Sequence, residues 1–149
     1  MNRWIALGLL VGIWAPAVIA GEGTRQGIVD VSADAPADMQ VLTVEDDAYL
    51  RVISQARPTM GWLGLFASDD NKVMVDYSQY ETHTAQLIDW GGDEFMVFLE
   101  GQVEITDTEG NSKVYGPGDM IVMPEGFTGT WRQLSPIRKI SVTYDWPES

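Results

Sequence analysis

The chain has 149 residues, 45% of them hydrophobic, and a formal net charge of −13, which suits one domain with a real core and is too short for two comfortable ones. So acidic a surface repels phosphate backbones and argues against a nucleic-acid partner. The lack of cysteine excludes disulfides, thiolate metal ligands, a thiol nucleophile and a lipidated N-terminal Cys.

In chain order, the first signal is an address. Arg3 precedes the apolar run Trp4 to Trp14, and Ala15-Pro16-Ala17-Val18-Ile19-Ala20 follows. A basic start, a short apolar stretch and small residues at the cleavage positions read as a signal peptide over residues 1–20. The run falls short of the roughly 18–20 apolar residues that span a bilayer, so no membrane association is expected after cleavage. Export follows, to a periplasm or otherwise outside the cell. Residues 21–38 are small, polar and acidic and read as a flexible N-terminal segment. The folded domain is expected over residues 39–149.

Within that domain, Met39–Val44 is a short strand-type run. Ala48–Ile53 fits helix or strand equally, because so short an apolar run does not settle the period. From Trp62 the strand signals become regular: 62–66, 72–77, 82–90, 94–99, 102–106, 113–115, 120–123, 129–134 and 139–144, with turn residues between them. Short strands at this spacing, with no long helical pattern and no internal repeat, define an all-β barrel or sandwich. Gly101 lies where the chain must reverse sharply, and Gly116-Pro117-Gly118-Asp119 and Pro124-Glu125-Gly126 are turns built from residues that preset or permit the required φ. These glycines and prolines are read as architecture. The acidic clusters Glu45-Asp46-Asp47 and Asp69-Asp70 lack the ligand spacing of a calcium loop and are read as solvated turns.

Two of these phrases carry a resemblance. Glu94 to Gly101 reads E-x6-G, and Gly116 to Gly126 reads G-x5-P-x-G; these resemble parts of the two cupin sequence motifs. Further segments follow in order: Gly129-Thr130-Trp131, then Pro136-Ile137-Arg138-Lys139. Residues 84–144 resemble the compact single-domain cupin family named after (S)-ureidoglycine aminohydrolase. The resemblance implies a small double-stranded β-helix, or jelly-roll, barrel with its ligand site in the lumen. It also implies a departure. Metal-binding cupins place two histidines just before the motif Glu, where this chain has Ile88 and Trp90, and a third after the second motif, where it has Gly129. The manganese-dependent hydrolysis of the family's namesake is therefore not carried over.

Strand parity decides which side chains line a lumen, and a slip of one residue exchanges the two faces. One register turns Ile88 and Trp90 inward, with Gln86 and Thr84 below. The other turns Leu87 and Asp89 inward, with Ala85 and His83. The first is preferred because the family carries aromatics at these sites, and it makes Gln86, Ile88, Trp90, Glu94, Met96, Trp131 and Gln133 the ligand-binding set. Glu94 is the candidate acid or base, since a carboxylate among rings and methionines is pushed toward its neutral form. The second register gathers His83, Asp89 and Glu94 as an alternative oxygen-and-imidazole site for manganese or another divalent metal. His83 is the only histidine, and its bland reading is an outward strand residue.

The leading expectation is an exported cupin that binds a small molecule in its barrel, with no cofactor. A metal-dependent hydrolase or isomerase using Glu94 is the alternative, and a structural or interaction protein the third. Outward Phe95, Val97 and Leu99 need a cover, supplied by residues 39–66 or by a second subunit in a homodimer.

Overall fold

A computed structural model describes residues 27–147. The signal segment at 1–20 and the first residues of the 21–38 segment lie outside the described residues. The described chain is all-β: strands β1 (Gln40–Thr43), β2 (Leu50–Val52), β3 (Thr59–Ala67), β4 (Val73–Tyr80), β5 (Thr84–Leu87) and β6 (Asp93–Glu100) are followed by β7 (Val103–Asp107), β8 (Ser112–Tyr115), β9 (Met120–Met123), β10 (Gly129–Gln133) and β11 (Ile137–Tyr144). The ambiguous run at Ala48–Ile53 resolves as strand β2.

Two antiparallel sheets face each other as a jelly-roll barrel. One has the order β1-β3-β4-β11-β6-β9 and the other β2-β5-β10-β7-β8. The apolar interior gathers Met60, Trp62, Leu87, Trp90, Met96, Phe98, Val103, Met123, Trp131 and Ile137, each less than a tenth exposed. Burying such side chains is the main source of stability, at roughly 1.5–3 kcal/mol for each large one. Strand β6 shows the alternation cleanly, with Glu94, Met96 and Phe98 buried and Phe95 outward.

On β4 and β11 the pattern runs the other way round. Ser78 pairs with Lys139 and Asp76 with Ser141, and Thr143 pairs with Glu94 across β6. All six are buried, although Lys, Asp and Glu rarely are. Their apolar neighbours in sequence, Val75, Ile140 and Val142, take the opposite face and are only half-buried. The lumen of the six-stranded sheet is thus polar along three adjacent strands.

Two backbone positions fix the ends of the site. Gly101 has φ +77, and a Cβ there would stand 2.0 Å from the Pro136 carbonyl oxygen, so only glycine reverses the chain at this point. Asp89 is a non-glycine residue at φ +48, in the left-handed region that Asp tolerates better than most residues. That residue breaks the two-residue parity between β5 and Trp90. Residues 39–66 do not cover Phe95, contrary to one expectation: β1 and β3 extend the same sheet in its own plane, and β2 joins the other sheet.

Candidate lumen site

The centre of the polar face is an ion pair. Lys139 Nζ donates to Glu94 Oε1 at 2.7 Å, with both side chains at most 2% exposed. It also donates to Ser141 Oγ and lies 5.9 Å from the centre of the Tyr80 ring. Burial opposes the ammonium charge, but Glu94, Tyr80 and Asp76 outweigh it and hold Lys139 protonated beyond the usual lysine range. Asp76 sits across from Ser141. Burial pushes its carboxyl up to about 7, against the pull of the Lys139 charge and with the push of Glu94. Burial also raises the Tyr80 phenol.

Four buried oxygens of this group make no hydrogen bond of good geometry among the described residues, Asp76 Oδ1, Ser78 Oγ, Tyr80 OH and Glu94 Oε2, although Ser78 lies close enough to Asp76 and Tyr80 to act on both. Buried polar atoms are nearly always satisfied, by protein, water or ligand. Their concentration on one inner face marks a place built to meet something.

A cavity of about 30 Å³ adjoins the pair, lined by Tyr80, His83, Trp90, Trp131, Gln133 and Lys139 on its polar and aromatic sides. Leu50, Leu87, Met96 and Met123 complete the wall. Gln133, with its amide oriented to satisfy both neighbours, donates to the Glu81 carbonyl at 2.9 Å and accepts from Trp131 Nε1 at 3.3 Å. His83 Nδ1 lies 2.9 Å from the same carbonyl oxygen. Burial lowers the imidazole's hold on a second proton, only partly offset by that hydrogen bond. Trp90 is 2% exposed and meets Trp146 edge-on at 5.0 Å; its Nε1 is unpartnered.

The structure takes half of each expected register. His83, just before β5, and Ala85 and Leu87 on it face inward, yet so does Trp90, because left-handed Asp89 supplies a three-residue step from Leu87. Of the ligand-binding set, Trp90, Met96, Trp131 and Gln133 line the cavity, and Glu94 lies behind it, bonded to Lys139. Gln86 and Ile88 do not. Gln86 alternates with buried Ala85 and Leu87, so it stands on the outer face, where its Nε2 donates to the Gly129 carbonyl at 2.6 Å. Ile88 is half-buried outside the core. His83 is 5% exposed, not an outward strand residue. Asp89 is exposed, so His83, Asp89 and Glu94 do not converge, and no cluster of three metal-ligating side chains exists among the described residues. Sequence reasoning missed Lys139, Tyr80 and Asp76. The available signal was strand β11 itself, where Lys139-Ser141-Thr143 alternate with Ile140-Val142 and either set fits the core.

The two facing sheets make the jelly-roll barrel expected of a cupin-type fold, and part of the chain is similar to known proteins of that kind. Residues 81–140 match the family model of the EutQ-like cupin domain. A DUF861-family protein of unknown function from Pseudomonas syringae pv. tomato is similar in structure, with TM-score 0.62 and 19% identity over 72% of this chain and 44% of that one. The Clostridium difficile EutQ protein gives 0.52 and 19% over 60% and 64%. A putative ethanolamine utilization protein Q from Salmonella typhimurium gives 0.52 and 16% over 76% and 100%. The chain thus spans less than two thirds of the first two, and at these identities the likeness speaks for the fold. No curated protein matches. The narrower likeness to the aminohydrolase family is not among these findings.

Many cupins hold a divalent metal, and the residues here do not fit one. The position of the third histidine is Gly129, where even a Cβ would come within 2.3 Å of the Thr106 carbonyl oxygen and 2.7 Å of the Phe127 ring. No ligating side chain can stand there. Trp90 supplies no lone pair for a metal, and Ile88 is outside the lumen. Glu94 faces an ammonium at 2.7 Å, whose charge repels a second cation at short range.

Proposed function

We propose that this chain is a small-molecule-binding cupin whose lumen is anchored by the Lys139–Glu94 pair, in place of a metal centre. The observation that carries this reading is that pair, sealed in the barrel beside a cavity with aromatic walls and surrounded by buried oxygens that make no hydrogen bond of good geometry. Concave sites are commonly built this way, with an apolar lining and a few fixed polar groups. The basic, apolar, alanine-ended leader supports export, so the ligand would be met outside the cytoplasm.

Thermal-shift screening of the tag-free domain against small polar metabolites tests the reading. A true lumen ligand should raise the melting temperature of the parent and of a surface control, Lys113→Met, and fail on Lys139→Met. Hits that stabilise all three equally would place binding outside the barrel and remove the proposal.

Asp76 favours a second reading, an acid–base enzyme. A buried carboxyl held at about 7 beside an ammonium is poised both to give and to take a proton near neutral pH. Turnover of a screened ligand that survives Asp76→Asn unchanged would rule it out.

A further inference from the structure

We propose that the cavity is a head-group subsite for a neutral carboxamide, with His83 Nε2 accepting the amide N–H and Lys139 and Tyr80 donating to its carbonyl oxygen. The assignment rests on the lumen reading above and adds the ligand's chemical class to it.

The argument begins with the tautomer of the single imidazole. The Glu81 carbonyl can only accept, so the His83 nitrogen 2.9 Å from it carries the hydrogen. In a neutral ring the lone pair is then on Nε2. Burial favours the neutral ring, and Nε2 has no hydrogen-bond partner among the described residues. His83 therefore offers an acceptor in the same cavity as the donors of Lys139, Tyr80 and Trp90. The Lys139 ammonium has three hydrogens, of which Glu94 and Ser141 take two. Trp90 Nε1 is buried and unpartnered, and the Tyr80 hydroxyl, buried near Ser78, makes no hydrogen bond of good geometry among the described residues. His83, Lys139, Tyr80 and Trp90 are each at most 5% exposed and line the same cavity.

Size and charge narrow the class. A buried water needs about 10–15 Å³ of such space, so the cavity takes about two water-sized groups, a head group and not a whole ligand. The group must show both a donor, for Nε2, and an acceptor, for Lys139 and Tyr80, whose ring centre is 5.8 Å from that of His83, and a primary carboxamide carries both. A carboxylate of the same size presents two acceptors and would set one against the Nε2 lone pair. Its charge would also find Lys139 already neutralised by Glu94 at 2.7 Å.

The sequence itself provides the probe, because His83 is the only histidine. Long-range proton–nitrogen NMR on ¹⁵N-labelled, tag-free protein reads both ring nitrogens without overlap. The free protein should show a hydrogen on Nδ1 and a bare Nε2. Propionamide should move the Nε2 resonance saturably, and propionate should not. Tyr80→Phe keeps the ring and should weaken the propionamide response about fivefold, the effect of losing one neutral hydrogen bond. An imidazole bare at Nδ1, an Nε2 signal that propionamide leaves in place, or an equal response to propionate would overturn the assignment. A Lys139-dependent ligand that leaves Nε2 unmoved would sink the carboxamide subsite alone and leave the lumen reading intact. If no ligand depends on Lys139, both fall.

Discussion

Asp76 gives the barrel a pH dependence of unusual sign. Its carboxyl rises from an ordinary 3.8 to about 7 in the folded chain because burial penalises the charge. Between those values the folded state binds a proton that the unfolded chain releases, so stability falls as pH rises through this window and levels off above it. Carboxylates held by salt bridges act in the opposite direction. The Asp76→Asn variant should lose the decline between about pH 4 and 7, which the parent shows as a falling melting temperature. Thermal denaturation at a series of pH values checks this; a parallel decline in the variant would assign it elsewhere. At this same scale Glu94 was legible from sequence, since the E-x6-G spacing fixes it on an inward strand position. Lys139 was not. A lysine beside isoleucines on a strand ordinarily points to water, and its partner lies 45 residues away. Only the fold brings the two together, and removing either partner should cost about 3–5 kcal/mol by stranding a buried charge.

Among the elements, the β5–β6 connection decides the site. The alternation of residues 83–90 allows two uniform registers, and the chain adopts neither, since one left-handed residue switches the face between Leu87 and Trp90. No periodicity argument contains such a step. It depends on a single φ, held by the Asp89 amide donating to Thr128 Oγ1 at 2.9 Å and by Trp90 exchanging backbone bonds with Phe127 and Gly126. Asp89→Gly should therefore be tolerated or slightly stabilising, while Asp89→Val should cost about 1–2 kcal/mol in urea denaturation, the penalty for a branched residue in that region. Equal costs for the two would mean that the side chain, not the backbone, matters there. The other strands were easier to read, because glycine and proline turns punctuate them. Gly101 and the Gly116–Asp119 turn stand where the sequence placed them.

At the scale of the molecule, the excess of acids is the largest unbalanced term. Among the described residues, four basic side chains outside the core pair with acids, Arg57 with Glu45 and Asp46, Lys72 with Asp145, Arg132 with Glu104 and Arg138 with Glu100. Exposed pairs of this kind contribute little, because water and salt screen them. Self-repulsion of a chain at −13 should dominate, so moderate sodium chloride should raise the melting temperature instead of lowering it. A fall with added salt would show that the pairs outweigh the repulsion. The all-β class was plain at this scale from strand spacing alone, whereas the inverted polarity of β4 and β11 was hidden, because hydrophobic alternation reports period and not which face is which.

The position of the Lys139 amine has a last consequence. A charge carried on a covalent tether from β11 cannot be chelated, exchanged for a competing ion or lost when the surroundings are poor in metals. The barrel has its electrostatic centre from the moment it folds, and treatment with a strong chelator should leave the melting curve where it was.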